Sequence, residues 1–183
     1  MTSMEIPVKG KEFEALILFR AQRLEEQGVL TLGRYGTQVV MMNDDAGVPR
    51  WQPIPSLPDF DGCIKGGRQI IIEAKVCSQA SYPIYHTGKS RPKQMDHMLN
   101  RAKFGALCFL LLHFNPRELK TKSEPAATYA IPVLDDHFWR MYEAGEIRSL
   151  TREDAMLNGN EIPWNLWSSR GSKLTPDISV LVK

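Results

Sequence analysis

Three consecutive isoleucines, Ile70-Ile71-Ile72, run straight into Glu73-Ala74-Lys75, and no other stretch of the chain so narrows what it can become. A short β-branched run favours an extended, buried strand. Side chains alternate along a strand, so Glu73 and Lys75 leave one face and Ala74 the other. Opposite charges at the end of an apolar strand need compensation from each other, from water or from a metal, because an unpaired buried charge is costly. A structural ion pair, or a strand that simply runs out into solvent, would satisfy the same letters. What precedes the strand makes the pattern more specific. Gly66-Gly67 tolerates the positive φ of a tight turn, so residues 61–65 and 69–76 read as an antiparallel hairpin, with Pro58-Asp59-Phe60-Asp61-Gly62 leading into it.

An acid, a hairpin and then Glu-x-Lys answer the demands of phosphodiester cleavage, which needs a hard cation on the phosphate, an attacking water and stabilisation of the leaving oxygen. Asp59 and Glu73 would hold the cation. Magnesium prefers oxygen ligands and keeps several waters, so two carboxylates, the backbone carbonyl of Ala74 and the scissile phosphate form a sufficient set, with Mn²⁺ as the expected substitute. Lys75 would orient or help deprotonate the water and stabilise developing negative charge. Asp61 stands two residues from Asp59, and spacing alone leaves either aspartate as the ligand.

The rest of the chain reads as α/β. Phe13, Leu16, Ile17, Ala21 and Leu24 recur at helical spacing over residues 10–26, and Gly28 supplies a stop. Glu14, one position off that stripe, falls at the edge of the buried surface or is a plain solvated glutamate. A short strand is expected at 37–42, then a loop or extended hairpin over 43–58 with four prolines around Trp51. Pro92, Met95, Met98, Leu99 and Ala102 mark a second helix ending near Gly105, followed by strands at 106–114 and 128–133 and a helix at 135–145. The order is α, β, β, β, α, β, β, α. Past Arg148 periodicity fades, and Trp164 and Trp167 suggest a tail lying on the body or on a partner. One domain spanning 1–183 is expected, with an insertion at 43–57 and a C-terminal extension at 148–183.

The net charge of +2 conceals an asymmetry: residues 63–122 carry eleven Lys/Arg against three Asp/Glu, and residues 123–162 carry three against eight. The basic stretch is the expected polyanion face, with Lys65, Arg68, Lys89, Arg91, Lys93, Arg101 and Lys103 as backbone contacts and Trp51 as a further DNA-facing residue. Cys63, Cys77 and Cys108 form no CxxC pair, so reduced thiols are expected. His86, His97, His113 and His137 lack metal-ligand spacing, and the Met pairs read as core. No phosphate loop is present, so no nucleotide cofactor is expected; no apolar run approaches a bilayer span and the N-terminus lacks signal-peptide character, so a cytoplasmic protein is expected.

Taken together these residues resemble the PD-(D/E)xK nucleases and, within them, the RecU-type Holliday-junction resolvases. Gly10-Lys11-Glu12-Phe13-Glu14 is similar to that family's Gly-x-x-Leu-Glu opening, and Asp59-Phe60-Asp61-Gly62 to its Asp-Tyr-Asn-Gly, which favours Asp59 over Asp61. Glu73-Ala74-Lys75, Ser81-Tyr82-Pro83-Ile84, Gln94-Met95-Asp96-His97-Met98 and Gly105-Ala106-Leu107-Cys108-Phe109-Leu110 follow in the family's order. The resemblance implies a central mixed sheet flanked by helices, a protruding stalk at 43–57, and a homodimer that makes paired nicks across a four-way junction. It makes Asp59 and Glu73 metal ligands, Lys75 the catalytic lysine, Glu14 an accessory acid and Gln94 a polar residue near the site. Ser90-Arg91-Pro92-Lys93 departs from the family's histidine-rich approach to the glutamine, and the stalk is not similar in sequence. The competing functions are a PD-(D/E)xK nuclease with a restriction- or flap-type substrate, and a junction-binding protein without activity.

Overall fold

The computed structural model describes residues 7–35, 39–43, 47–53, 57–84, 93–119, 121–134, 136–167 and 173–182. In chain order the elements are α1 (Gly10–Glu26), β1 (Leu30–Arg34), β2 (Val39–Asn43), β3 (Pro49–Pro53), β4 (Phe60–Ile64), β5 (Gln69–Cys77), β6 (Ser81–Pro83), α2 (Lys93–Lys103), β7 (Leu107–Phe114), β8 (Arg117–Glu118), β9 (Ser123–Glu124), β10 (Ala127–Pro132), α3 (His137–Glu143), β11 (Ser149–Thr151), α4 (Arg152–Asn158), β12 (Asn160–Glu161), β13 (Trp164–Trp167) and β14 (Lys173–Pro176), closed by a 3₁₀ turn, Ile178–Val182. A six-stranded sheet in the order β1-β4-β5-β7-β10-β12 forms the middle of the molecule. Among the described residues only β5 and β7 pair in parallel, and α2 lies within the crossover between them. Among the described residues the architecture is therefore α/β with a mixed sheet and four helices.

Central strand β5 is buried on both sides, which is why its sequence is a continuous apolar run and not an alternation. Ile70, Ile72 and Ala74 face the core under α1, with Phe13, Ile17, Leu24, Phe60 and Leu111. Ile71 faces the opposite core, with Met98, Leu110, Leu112, Trp139 and Tyr142. Glu73 and Lys75 share the phase of Ile71 along the strand.

Helix α1 has the bounds its periodicity predicts, and Gly28 at φ 66° accommodates the left-handed residue just past it. The Gly66-Gly67 turn also forms as expected, both glycines at positive φ and the Gly67 N–H donating to the Ile64 carbonyl at 3.0 Å. Of the segment 43–58, residues 49–53 form β3, which pairs antiparallel with the preceding strand β2, Met41 opposite Trp51. The strand expected at 37–42 appears as Val39–Asn43. The expected third helix appears as His137–Glu143, with Asp136 as its cap accepting from the Trp139 N–H at 3.0 Å.

Three parts of the chain differ from expectation. Of the Met pairs read as core, Met95 and Met98 are buried, but Met41 and Met42 are exposed on β2, which pairs only with β3 among the described strands. β1, which was not anticipated, has only Leu30 and Leu32 buried, too short an alternation to stand out. The C-terminal region is more ordered than its fading periodicity suggests. Thr151 and Asp154 form a reciprocal capping box that starts α4, but this helix is short and exposes Met156 and Leu157, so no apolar stripe announces it. The tail lies on the body: Trp164 stacks on Phe13 at 6.2 Å between ring centroids and donates through Nε1 to Thr128 Oγ1 at 2.8 Å. Arg20 of α1 binds Asp177 at 2.7 Å, pinning the last turn. His113 is a core histidine on Thr128 Oγ1 at 2.8 Å, and burial lowers its pKa to about 4, so it is neutral at pH 7. The three cysteines are free and lie in strands. No helix among the described residues is long and apolar enough to cross a membrane.

Candidate active site

The site begins with a close approach. A Cβ on Gly62 would stand 1.9 Å from the Thr31 carbonyl oxygen, so only glycine lets β1 lie against β4 at this point. The β1–β4 ladder runs to Arg34 opposite Phe60. One residue further, the Tyr35 N–H donates to the Asp59 carbonyl at 3.1 Å. Asp59 is thereby delivered beside the middle of β5, just past the end of the β4–β5 ladder.

There it meets Glu73 and Ala74, through one hydrogen bond to each. The Asp59 N–H donates to Glu73 Oε2 at 3.0 Å, and the Ala74 N–H donates to Asp59 Oδ2 at 2.9 Å. Lys75 Nζ is ion-paired with Glu73 Oε1 and lies 3.6 Å from Asp59 Oδ2. The Glu73 side chain is only 2% exposed. Burial, with the Asp59 charge adding to it, pushes the Glu73 carboxyl up to about 7 despite the opposing pull of Lys75. Burial acts to lower Lys75, but the two carboxylates outweigh it and hold its ammonium above the usual lysine range. A lysine so held is a cation at neutral pH.

Asp61, the alternative left open by spacing, is engaged elsewhere. Its Oδ2 accepts from the Tyr35 hydroxyl at 2.9 Å, and its Oδ1 from Gln69 Nε2 and the Gly62 N–H, both at 2.9 Å. The geometry gathers Asp59, Glu73 and Lys75 and leaves Asp61 outside.

Lys75 looks onto two spaces. On the α2 side Glu73 and Lys75 line a cavity of about 240 Å³ with Tyr82, Ile84, Gln94, Met95 and Leu110, so Gln94 shares a cavity with two of the three residues. Tyr82, to which no role was assigned from sequence, faces the same cavity, and burial raises its hydroxyl pKa. On the α1 side an open cleft is lined by Gly10, Glu14, Ala74, Lys75, Ser78 and neighbours. Glu14 reaches this cleft, although its bonded partner is Arg34 at 2.9 Å and neither acid of the triad.

Among the described residues no group of three or more His, Cys, Asp or Glu side chains is gathered as a metal site. The donor set nonetheless fits a hard cation that keeps most of its waters, since such an ion takes one or two carboxylates. Asp59 and Glu73 supply these, and the Ala74 carbonyl leaves β5 on the same edge as the N–H that meets Asp59.

The expected DNA-facing residues spread around this centre. Lys93, at the start of α2, and Arg101 and Lys103, in its last turn, are exposed. Lys65 and Arg68 flank the β4–β5 turn, and Arg68 Nε donates to the Gly105 carbonyl at 2.7 Å, joining that turn to the end of α2. Trp51 is 67% exposed on β3. Lys89 and Arg91 lie outside the described residues. Tyr35, which binds both Asp59 and Asp61, was missed, because a single aromatic between a short strand and an insertion gives no periodic signal.

Comparison with curated protein sequences finds no match. The model of the RecU family, Recombination protein U, matches residues 9–166, from the residue before α1 into β13 and across every residue of the site, and the chain belongs to that family.

Proposed function

We propose that the protein is a magnesium-dependent endonuclease that resolves four-way DNA junctions by paired hydrolysis as a homodimer. Membership of the Recombination protein U family implies Holliday-junction resolvase function in recombination. The observation that carries the catalytic part is the meeting of Asp59, Glu73 and Lys75 at the end of the β4–β5 hairpin. Held by Asp59, Glu73 and the Ala74 carbonyl, Mg²⁺ or Mn²⁺ would polarise the scissile phosphate and make a bound water a stronger nucleophile.

Lys75 provides a fixed positive charge beside both carboxylates. Its part is to orient the attacking water or help deprotonate it and to neutralise charge developing on the phosphate. Gln94, uncharged and in the same cavity, can hydrogen-bond a water or phosphate oxygen without adding a charge that repels DNA. Glu14 is an accessory acid on the opposite side of Lys75. A two-fold homodimer matches a substrate that needs two symmetric nicks. The β2–β3 hairpin, with Met41, Met42, Val48 and Trp51 exposed, is the protrusion that distinguishes a junction from a duplex.

The test is incubation with a synthetic four-way junction, a duplex and a single strand, with and without Mg²⁺ or Mn²⁺, alongside light scattering. Paired nicks in the junction alone, only with cation, and a mass near twice 20.8 kDa are expected. Equal cutting of duplex would make this a general nuclease, and binding without cutting in either cation would make it a junction-binding protein.

A further inference from the structure

β1 and β4 are neighbours in the sheet, yet residues 35–59 separate them in sequence, and this insertion carries the β2–β3 hairpin. Its two roots are Tyr35 and Asp59, and they are bonded to each other, N–H to carbonyl, at 3.1 Å. The residue that closes the base of the hairpin is thus the aspartate that meets Glu73 and Lys75. Tyr35 is itself fixed at its other end: its hydroxyl donates to Asp61 Oδ2 at 2.9 Å, and its ring stands edge-on to His97 of α2 at 6.5 Å and 80°. Asp61 cannot drift away, since its other oxygen accepts from Gln69 Nε2 and the Gly62 N–H.

We propose that Tyr35 and Asp61 are positioning residues, which lock the base of the inserted hairpin to the sheet and thereby hold Asp59 against Glu73 and Ala74. Neither touches the reacting atoms. The consequence for catalysis rests on the nuclease function proposed above, but the structural claim does not. The hydrogen bond needs one donor and one acceptor in either sense. Asn at position 61 can keep Oδ1 on Gln69 and the Gly62 N–H and donate through Nδ2 to the Tyr35 oxygen, reversing the bond. Phe at position 35 cannot make it at all, and Ala at position 61 removes every side-chain bond.

The Ala74 amide reports directly on Asp59, because its N–H donates to Asp59 Oδ2. Its hydrogen exchange, followed by NMR in metal-free protein against the buried Ile71 amide of the same strand, separates local release from general loosening. Tyr35→Phe and Asp61→Ala should speed Ala74 exchange about tenfold, the scale of one lost bond to a charged group, and leave Ile71 unchanged. Asp61→Asn should keep wild-type exchange at both. On a four-way junction with Mg²⁺, single-turnover cleavage should fall about tenfold in the first two variants with junction affinity unchanged, and stay within about threefold of wild type in Asp61→Asn. Unchanged Ala74 exchange in Tyr35→Phe, or equal acceleration at Ile71, would overturn the proposal. A wild-type protein that cuts no junction would overturn the nuclease function, and the exchange data would still decide the positioning role.

Discussion

Asp59 and Asp61 are two residues apart on one face of the same chain segment, and what separates their roles is the company each keeps. Asp61 has three donors on its two oxygens, from Tyr35, Gln69 and Gly62, whereas Asp59 meets an amide and a cation at Oδ2, beside a second carboxylate. Both Asp59→Asn and Glu73→Gln keep nearly the same volume, and in the first the side-chain amide oxygen can still accept from the Ala74 N–H. The fold should survive while a hard-cation ligand is lost, so junction cleavage should fall by orders of magnitude. Affinity measured without metal should stay equal or rise slightly, since a charge that repels phosphate has gone. Lys75→Ala should lose cleavage and also some affinity. Wild-type cleavage by Asp59→Asn would place the metal elsewhere.

At the scale of elements, what could be read from sequence divides by the kind of signal each element carries. α1 and α2 bury a stripe at helical period, and β5 is an apolar run ending in charges, so all three appear where their patterns put them. β1 and α4 are held by their neighbours and carry little pattern of their own. The site divides in the same way: Glu73-x-Lys75 was legible because strand alternation fixes it, while Tyr35 and Tyr82 acquire their places only when distant strands are packed together. Gly62 belongs to this second class, its need for a missing side chain arising from β1 crossing at contact distance. Gly62→Ala must push β1 off β4, and with it the Tyr35–Asp59 bond. A loss of roughly 2 kcal/mol or more in denaturant unfolding is expected, with cleavage by the remaining folded protein reduced as well. An unfolding midpoint within error of wild type would show that the strand approach relaxes freely.

Across the whole molecule, the excess of basic residues at 63–122 is not one undifferentiated surface. Arg117 and Lys122 are taken up by Glu124, at 2.7 and 3.0 Å, and these two cations hold that carboxyl down at about 2. Among the described residues the exposed remainder follows α2, from Lys93 next to Gln94 at the cavity to Arg101 and Lys103, and then to Lys65 and Arg68 at the β4–β5 turn, which Arg68 ties to Gly105. The charge therefore leads away from the triad along one helix, and we propose that it serves as a track for a phosphate backbone approaching the triad. Phosphate contacts release condensed counterions, so each one contributes about 0.9 to the slope of log affinity against log salt. Lys65, Lys93 and Lys103 are exposed and lie outside the Asp59–Glu73–Lys75 cluster, so replacing all three with alanine should leave folding intact. The slope for junction binding, measured in metal-free buffer to silence cleavage, should become shallower by about 2.7, with binding to duplex weakened in parallel because backbone contacts carry no junction specificity. An unchanged slope would mean that the DNA approaches the triad from another side, leaving the α2 track as solvated surface.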